Sequence, residues 1–423
     1  MAEGDSSSPV QTHRIRRMSG RDPHELHRVS SPLELLFDLT FAIAFGVAAA
    51  QLAHLLAEGH VAAGLLGFGF AVFAIWWAWM NFSWFASAYD TDDWIYRLMT
   101  MVQMVGVIIL ALGLPQTFAS IEHGGHVDNT VVVAGYVVMR IAMVGQWLRA
   151  ARQDPDRRSA CLTYAVVIVV AQIGWVGQIL VNTSASVFAA SALVLMAFEI
   201  SGPFFAERRM GGTPWHAHHI AERYGLLAII ALGEGVVGTV ASLSAAVGEH
   251  GWSADAVVLA VAGTGLTFGM WWVYFLVPAG ELLHAHREVS FLYGYLHLVV
   301  FGSIVATGAG LHVAAYYFEE QSALSAVGTV MAVAIPVGAY IAAMFVIYSL
   351  LVGAFDAFHT GLLVVAGAVL AIAVAMAAAG VPMAPCLLVV TAAPMVIVAG
   401  FELVGHRHAG AIVARRLADQ RGE

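Results

Sequence analysis

Twelve times along this chain a run of about twenty mostly apolar residues follows another with only a short polar break between them. That recurrence decides almost everything the chain can fold into. A helix crossing the hydrocarbon core of a bilayer needs about 20 such residues, because each adds roughly 1.5 Å. The runs fall at 33–56, 61–85, 95–115, 129–149, 160–181, 185–206, 223–247, 254–279, 289–313, 325–351, 358–379 and 385–405. The first is long enough to cross a full bilayer, so it reads as a span and not as a cleavable signal. The expected fold class is all-α, a polytopic integral membrane protein of about twelve transmembrane helices. Composition agrees: 60% of residues are hydrophobic and 11% charged, where a soluble domain has about 45–50% and about 25%. An ordinary soluble enzyme, a disordered chain and a nucleic-acid binder are excluded as classes. Cys161 and Cys386 both lie in apolar runs and offer neither a disulfide framework nor a metal-thiolate spacing.

The arginines orient the spans. All 19 basic residues are arginine. Counting from an inside N-terminus, Arg140 falls within a span and the other eighteen fall on the cytoplasmic side or at its edge. Positive charge accumulates on the cytoplasmic side of membrane proteins. The expectation is therefore a bacterial cytoplasmic membrane protein with both termini inside. Residues 1–30, polar and rich in Ser, Arg and His, read as a flexible cytoplasmic tail. Residues 31–210 form a six-helix N-terminal half, 211–406 a six-helix C-terminal half, and 407–423 a second cytoplasmic tail.

The two halves look alike at an offset of about 195. Trp76-Trp77, a loop with Asp90, Asp92 and Asp93, and Gly106 are echoed by Trp271-Trp272, a loop with Glu281 and Glu288, and Gly302. A unit with an even number of spans repeats in the same orientation. The halves would then be parallel repeats, and transporters built this way hold their site where the repeats meet.

Charged side chains inside such runs are costly, roughly 2.5–3.5 kcal/mol each on insertion scales, and mark candidate binding groups. Glu34 and Asp38 stand four apart at the start of span one, on one helix face. Glu222 and Arg223 open span seven, and Glu234 lies about 18 Å deeper, between Gly233 and Gly235. Arg140 is in mid-span four, Glu199 past the middle of span six, and His297 in span nine. Arg140 is expected to pair with Glu199 or Glu234. Asp38 has no cation near it in sequence, so it reads as functional. Asp38 and Glu234 are expected to border one central cavity. Asp93 and Arg97 read as an i,i+4 pair.

These eight residues, Glu34, Asp38, Arg140, Glu199, Glu222, Arg223, Glu234 and His297, are the candidate substrate- or ion-binding set. His216, His218, His219 and Glu222 crowd one loop, and His284 and His286 another. Imidazole suits zinc, copper or nickel, but no HExxH spacing occurs, and no metal or other cofactor is expected. Glu34 and Asp38 could do acid–base work, yet no nucleophile is arranged beside them, so the chain reads as a non-enzyme.

Several stretches resemble the bacterial low temperature requirement protein A family. Arg28-Val29-Ser30 followed by Leu33-Glu34-Leu35-Leu36-Phe37-Asp38-Leu39 resembles its E-L-F-F-D-L opening. Tyr89-Asp90-Thr91-Asp92-Asp93 with Arg97-Leu98 resembles its second signature. His219-Ile220-Ala221-Glu222-Arg223-Tyr224-Gly225-Leu226, ending in Leu232-Gly233-Glu234, resembles its third. Trp271-Trp272-Val273-Tyr274-Phe275 and Tyr293-Gly294-Tyr295-Leu296-His297 resemble the fourth and fifth. Leu276 stands where the family often has Asp. The resemblance implies a multi-pass bacterial membrane protein associated by name with growth in the cold, and implies no substrate. Asp38-Leu39-Thr40-Phe41-Ala42-Ile43 is also similar to the first-helix motif of two-repeat, six-helix potassium channels. The functional expectation is a transporter or channel for a small solute or ion, serving cold or stress adaptation. The alternatives are a membrane sensor without flux and a membrane-embedded lipid enzyme. The expected partners are the lipid bilayer and that solute or ion, with no nucleic acid.

Overall fold

With no water in the bilayer core, each backbone N–H and C=O must be satisfied inside its own segment, which leaves the helix as the economical solution for such runs. The computed structural model describes residues 15–23, 25, 28–181, 184–248, 251–353 and 357–405. The helices are α1 (Pro32–Ala57), α2 (Val61–Tyr89), α3 (Trp94–His123), α4 (Thr130–Gln153), α5 (Arg158–Leu180), α6 (Ala185–Arg209), α7 (Ala217–Gly248), α8 (Ala254–Tyr274), α9 (Ala279–Ala285), α10 (Ser290–Phe318), α11 (Ala326–Val352), α12 (Ala357–Ala378) and α13 (Met383–Gly400). Twelve are long and apolar enough to cross a membrane. The remaining one, α9, is a seven-residue helix between α8 and α10.

The helix starts are written locally. Ser31 caps α1 through a reciprocal box: Ser31 N–H donates to Glu34 Oε2 at 2.7 Å, and Glu34 N–H donates to Ser31 Oγ at 3.3 Å. Asp93 caps α3 by accepting from Tyr96 N–H at 2.9 Å. Two boundaries differ most from the sequence expectation. α7 begins at Ala217, six residues before the apolar run, because buried His219 and Arg223 lower the hydropathy of its first turns. α3 continues to His123, with Pro115 held inside the helix.

In the first half α1 packs on α2 and α3, α3 on α4, α4 on α5 and α5 on α6. In the second half α7 packs on α8 and α10, α10 on α11, α11 on α12 and α12 on α13. The order of pairings is the same in both, and α13 packs along α8 in addition. Small residues set the closest approaches: a Cβ on Gly135 of α4 would stand 2.6 Å from the Gly106 carbonyl of α3. The halves meet where α1 and α2 lie against α7 and α10. An aromatic core fills that junction, with Trp79 edge-on to Tyr224 at 4.8 Å and to Phe301 at 5.8 Å.

The N-terminal segment departs from the expected flexible tail over the residues described. Met18 is fully buried. Arg16 N–H donates to Asp93 Oδ2 (3.0 Å), Met18 N–H to Gln153 Oε1 (2.6 Å), Gly20 N–H to Asp154 Oδ2 (3.2 Å) and Arg21 N–H to the Ala88 carbonyl (3.0 Å). The segment is a strap laid over the adjoining ends of α2, α3 and α4. Its polar composition reflects backbone bonds to side chains that hydropathy cannot register. Residues 1–14 and the tail expected at 407–423 lie outside the described residues.

Alternation of the helices gives the molecule one arginine-rich face, where α1, α3 and α5 begin. The six connections on the opposite face, 58–60, 124–129, 181–184, 249–253, 319–325 and 379–382, contain no arginine.

A buried ionic cluster where the halves meet

Near the arginine-rich face, the first two turns of α1 lie against the start of α7. The four-residue spacing of Glu34 and Asp38 puts both carboxylates on this contact, and both are fully buried. Arg223 of α7, also fully buried, reaches between them. Its Nη2 donates to Asp38 Oδ1 at 2.6 Å and to Ser83 Oγ of α2 at 3.1 Å, and its Nη1 stands 3.4 Å from Glu34 Oε1. Trp79 Nε1 donates to the same Asp38 oxygen at 2.6 Å. His219, one helical turn before Arg223, places Nε2 3.1 Å from Glu34 Oε1. Arg28 closes the cluster from the strap, 3.9 Å from Glu34 and 3.6 Å from Asp90. Burial and then the Glu34 charge push the Asp90 carboxyl up, against the pull of Arg28, to about 6.

Three carboxylates, Glu34, Asp38 and Asp90, thus face two guanidiniums, Arg28 and Arg223, with one imidazole beside them. With His219 neutral the cluster carries one negative charge more than its two guanidiniums balance. An unbalanced buried charge is strongly unfavourable, so the arrangement can hold one exchangeable proton or one small cation. Asp38 Oδ2 and Arg223 Nε are buried without a hydrogen-bond partner among the described residues. Such a half-satisfied network has room to rearrange.

The other candidate residues are distributed. Arg140 pairs with Glu199 rather than Glu234, and Trp175 Nε1 donates to the second Glu199 oxygen at 2.6 Å. The pair joins α4 to α6, away from the cluster. Glu222, the neighbour of Arg223 on α7, accepts from Ser30 N–H at 3.3 Å, holding the strap. His297 uses both ring nitrogens: Nδ1 lies 2.7 Å from the Tyr293 carbonyl and Nε2 2.9 Å from the Tyr274 hydroxyl. A carbonyl only accepts, so Nδ1 carries the proton and Nε2 accepts, which suits a neutral packing histidine. Glu234 lies further along the α1–α7 seam, against Gly46 of α1; a Cβ on Gly46 would stand 3.0 Å from its Oε1. The close backbone approach at Glu234 comes from Gly308 of α10, while a Cβ on Gly233 would meet nothing within 4 Å.

Two sequence readings are corrected. Asp38 does have a cation, Arg223, which is 185 residues away. Asp38 is sealed in the cluster, and Glu234 meets α1 two turns beyond it. Two sizeable cavities lie elsewhere. One of about 540 Å³ is an apolar groove between α1–α2 and α10–α11, and one of about 600 Å³ runs between α4 and α5; neither is lined by Asp38 or Glu234. Asp93 pairs with Arg149 across helices, and Arg97 takes Asp92 at 2.8 Å. Asp93 turns back to cap α3, so its carboxylate faces α4 and not Arg97.

Arg28, Trp79, Ser83, Asp90 and His219 belong to the cluster and were not in the candidate set. The signal was available in the signature stretches, which converge here. The first supplies Arg28, Glu34 and Asp38, the second Asp90, and the third His219 and Arg223. Tyr274, Tyr293 and His297 of the last two pack beside them on Tyr224. Of the loop histidines, His216 turns to the strap, with Nε2 2.7 Å from the Glu25 carbonyl, while His218 stacks near His284 at 5.5 Å. Among the described residues the five imidazoles do not gather on one centre.

Residues 29–394 match the family described as bacterial low temperature requirement A protein. An uncharacterized protein of Rhizobium meliloti (strain 1021) is 25% identical over 300 residues, covering 66% of this chain and 67% of its own. No solved structure matches.

Proposed function

The chain belongs to the bacterial low temperature requirement A family, and from that premise we propose that it is a transporter or channel for a small solute or ion, driven or gated by a proton held between α1 and α7. The observation that carries this reading is the charge imbalance of the sealed cluster: three carboxylates against two guanidiniums, at the junction of the two halves. A structural ion pair needs no such excess. A group that takes and releases one proton, or exchanges it for a cation, does. Asp90, at the mouth of the cluster on the arginine-rich face, holds its proton up to about pH 6 and offers the entry point. The arginine distribution supports a cytoplasmic position for that face, with both termini inside.

The test is flux in proteoliposomes with a pH-sensitive dye inside, against a library of small cations and solutes, at pH 5–8. Glu34→Gln should abolish flux while the protein elutes as a folded species. Asp90→Asn balances the cluster without a proton, so any remaining flux should lose its dependence on pH. Wild-type protein that moves neither protons nor any solute would overturn the transport reading. A sensor without flux is the second reading, favoured by the strap, which ties Glu222 of α7 to the ends of α2–α4. It would be indicated by loss of cold growth on deleting residues 1–23 in a protein that shows no flux.

A further inference from the structure

On the face opposite the arginines, three ligating side chains from two separate connections come together. Glu58 ends α1 and His60 starts α2, joined through Gly59 in a left-handed conformation (φ +84°). The turn is fixed by His60 N–H to Leu55 O (2.8 Å) and Gly59 N–H to Leu56 O (3.0 Å). It is also pinned from outside, where Ala323 N–H donates to Ala57 O at 2.6 Å. Glu122 comes from the last turn of α3. His60 Nδ1 stands 2.5 Å from Glu122 Oε1 and 3.9 Å from Glu58 Oε2. One ligating atom from each of the three residues lies within 4.8 Å of the other two. His54, a turn before Glu58, sits 3.6 Å from the other Glu58 oxygen and orients it, as outer partners of ligating carboxylates do.

We propose that Glu58, His60 and Glu122 bind a divalent transition-metal cation of the zinc type. One imidazole with two carboxylates suits such a borderline ion. Bonds of ~2.1 Å in a tetrahedron put ligand atoms roughly 3.4 Å apart. The Glu58–His60 separation is already close to that, and the His60–Glu122 contact has to open by about 1 Å. His60 is half exposed and has the freedom to do so. Three protein ligands leave a fourth position for water. The surroundings favour a cation independently of the ligands. No connection on this face carries an arginine, while Glu58, Asp128, Glu319 and Glu320 all lie on it. The two carboxylates of the site therefore have no guanidinium to balance them. A bound ion would staple the α1–α2 turn to the end of α3. This inference does not rest on the transport reading.

The experiment uses the full chain in detergent, stripped with a chelator and titrated with Zn²⁺ at pH 7.5 by calorimetry, with melting followed in parallel. Wild-type protein should bind one equivalent more than His60→Ala, and more than Glu58→Gln, which keeps the shape of the turn. Zn²⁺ should raise the melting temperature of wild type and not of the variants, whose metal-free melting should match wild type. Other histidines contribute equally to all three proteins and cancel in the comparison. Equal stoichiometry and equal Zn²⁺-dependent melting in wild type and both variants would overturn the proposal.

Discussion

Replacing Arg223 by methionine keeps most of its length and removes the cation from the middle of the cluster. Three interactions go with it: the ion pair to Asp38, the ion pair to Glu34 and the hydrogen bond to Ser83. Three carboxylates then face Arg28 alone in a site with no solvent. Breaking a buried pair from one side typically costs about 3–5 kcal/mol, or roughly two to nearly four decades in the folding equilibrium. Asp38→Asn alone should cost much less. The amide oxygen still accepts from Trp79, and the remaining two carboxylates balance the two guanidiniums. In the double variant, Glu34 and Asp90 face Arg28, which restores the imbalance of the wild type. Adding Asp38→Asn to Arg223→Met should therefore recover at least ~1 kcal/mol, within the range of coupling found for contacting residues. Tryptophan fluorescence during reversible denaturation in mixed micelles measures all four proteins. An Arg223→Met protein within about 1 kcal/mol of wild type, or strictly additive effects, would refute the reasoning, because the guanidinium would then be reaching water.

Arg140→Ala should destabilise by about 3–5 kcal/mol for the same reason, with partial recovery on adding Glu199→Gln and none on adding Glu234→Gln; thermal melting in detergent separates the two. Asp93 gives a pH window: burial pushes its carboxyl up, but Arg149 and the N–H groups of Tyr96 and Arg16 outweigh that and hold it at about 2, below the unfolded value near 4. The stability it contributes is therefore complete above about pH 4 and lost as the pH falls toward 2, so wild type and Asp93→Asn should converge in melting temperature over that interval.

The spans were legible because length and hydropathy alone determine them, and the alternation of arginine-bearing and arginine-free connections followed from the same count. The seam between halves was half legible. Glu34 and Asp38 stood out as charges in apolar sequence, and so did Arg223, but nothing in one dimension joins residues 38 and 223. Hydropathy likewise left Arg140 with two acidic candidates, since the choice depends on which helix crosses α4. Asp93 was misassigned because spacing suggests Arg97, whereas capping α3 turns the side chain toward Arg149. The strap was illegible for a different reason. Its backbone N–H groups bind Gln153, Asp154 and the Ala88 carbonyl, and a backbone donor is the same in every sequence.

The distance along the chain between Asp38 and Arg223 imposes an order on biosynthesis. A ribosome releases the carboxylates of α1 long before it makes the guanidinium that neutralises them. During the synthesis of five intervening helices, the first two turns of α1 would carry Glu34 and Asp38 into hydrocarbon with Arg28 as the one cation already made. The stable place for them in that interval is the headgroup layer, with the apolar remainder of α1 already inserted. Emergence of α7 supplies the counter-charge, and only then can the beginning of α1 settle to its final depth. Ser30 settles with it, because the Glu222 carboxylate to which its N–H donates is made in α7. The start of α1, made early, is thus among the last parts of the described fold to reach its place.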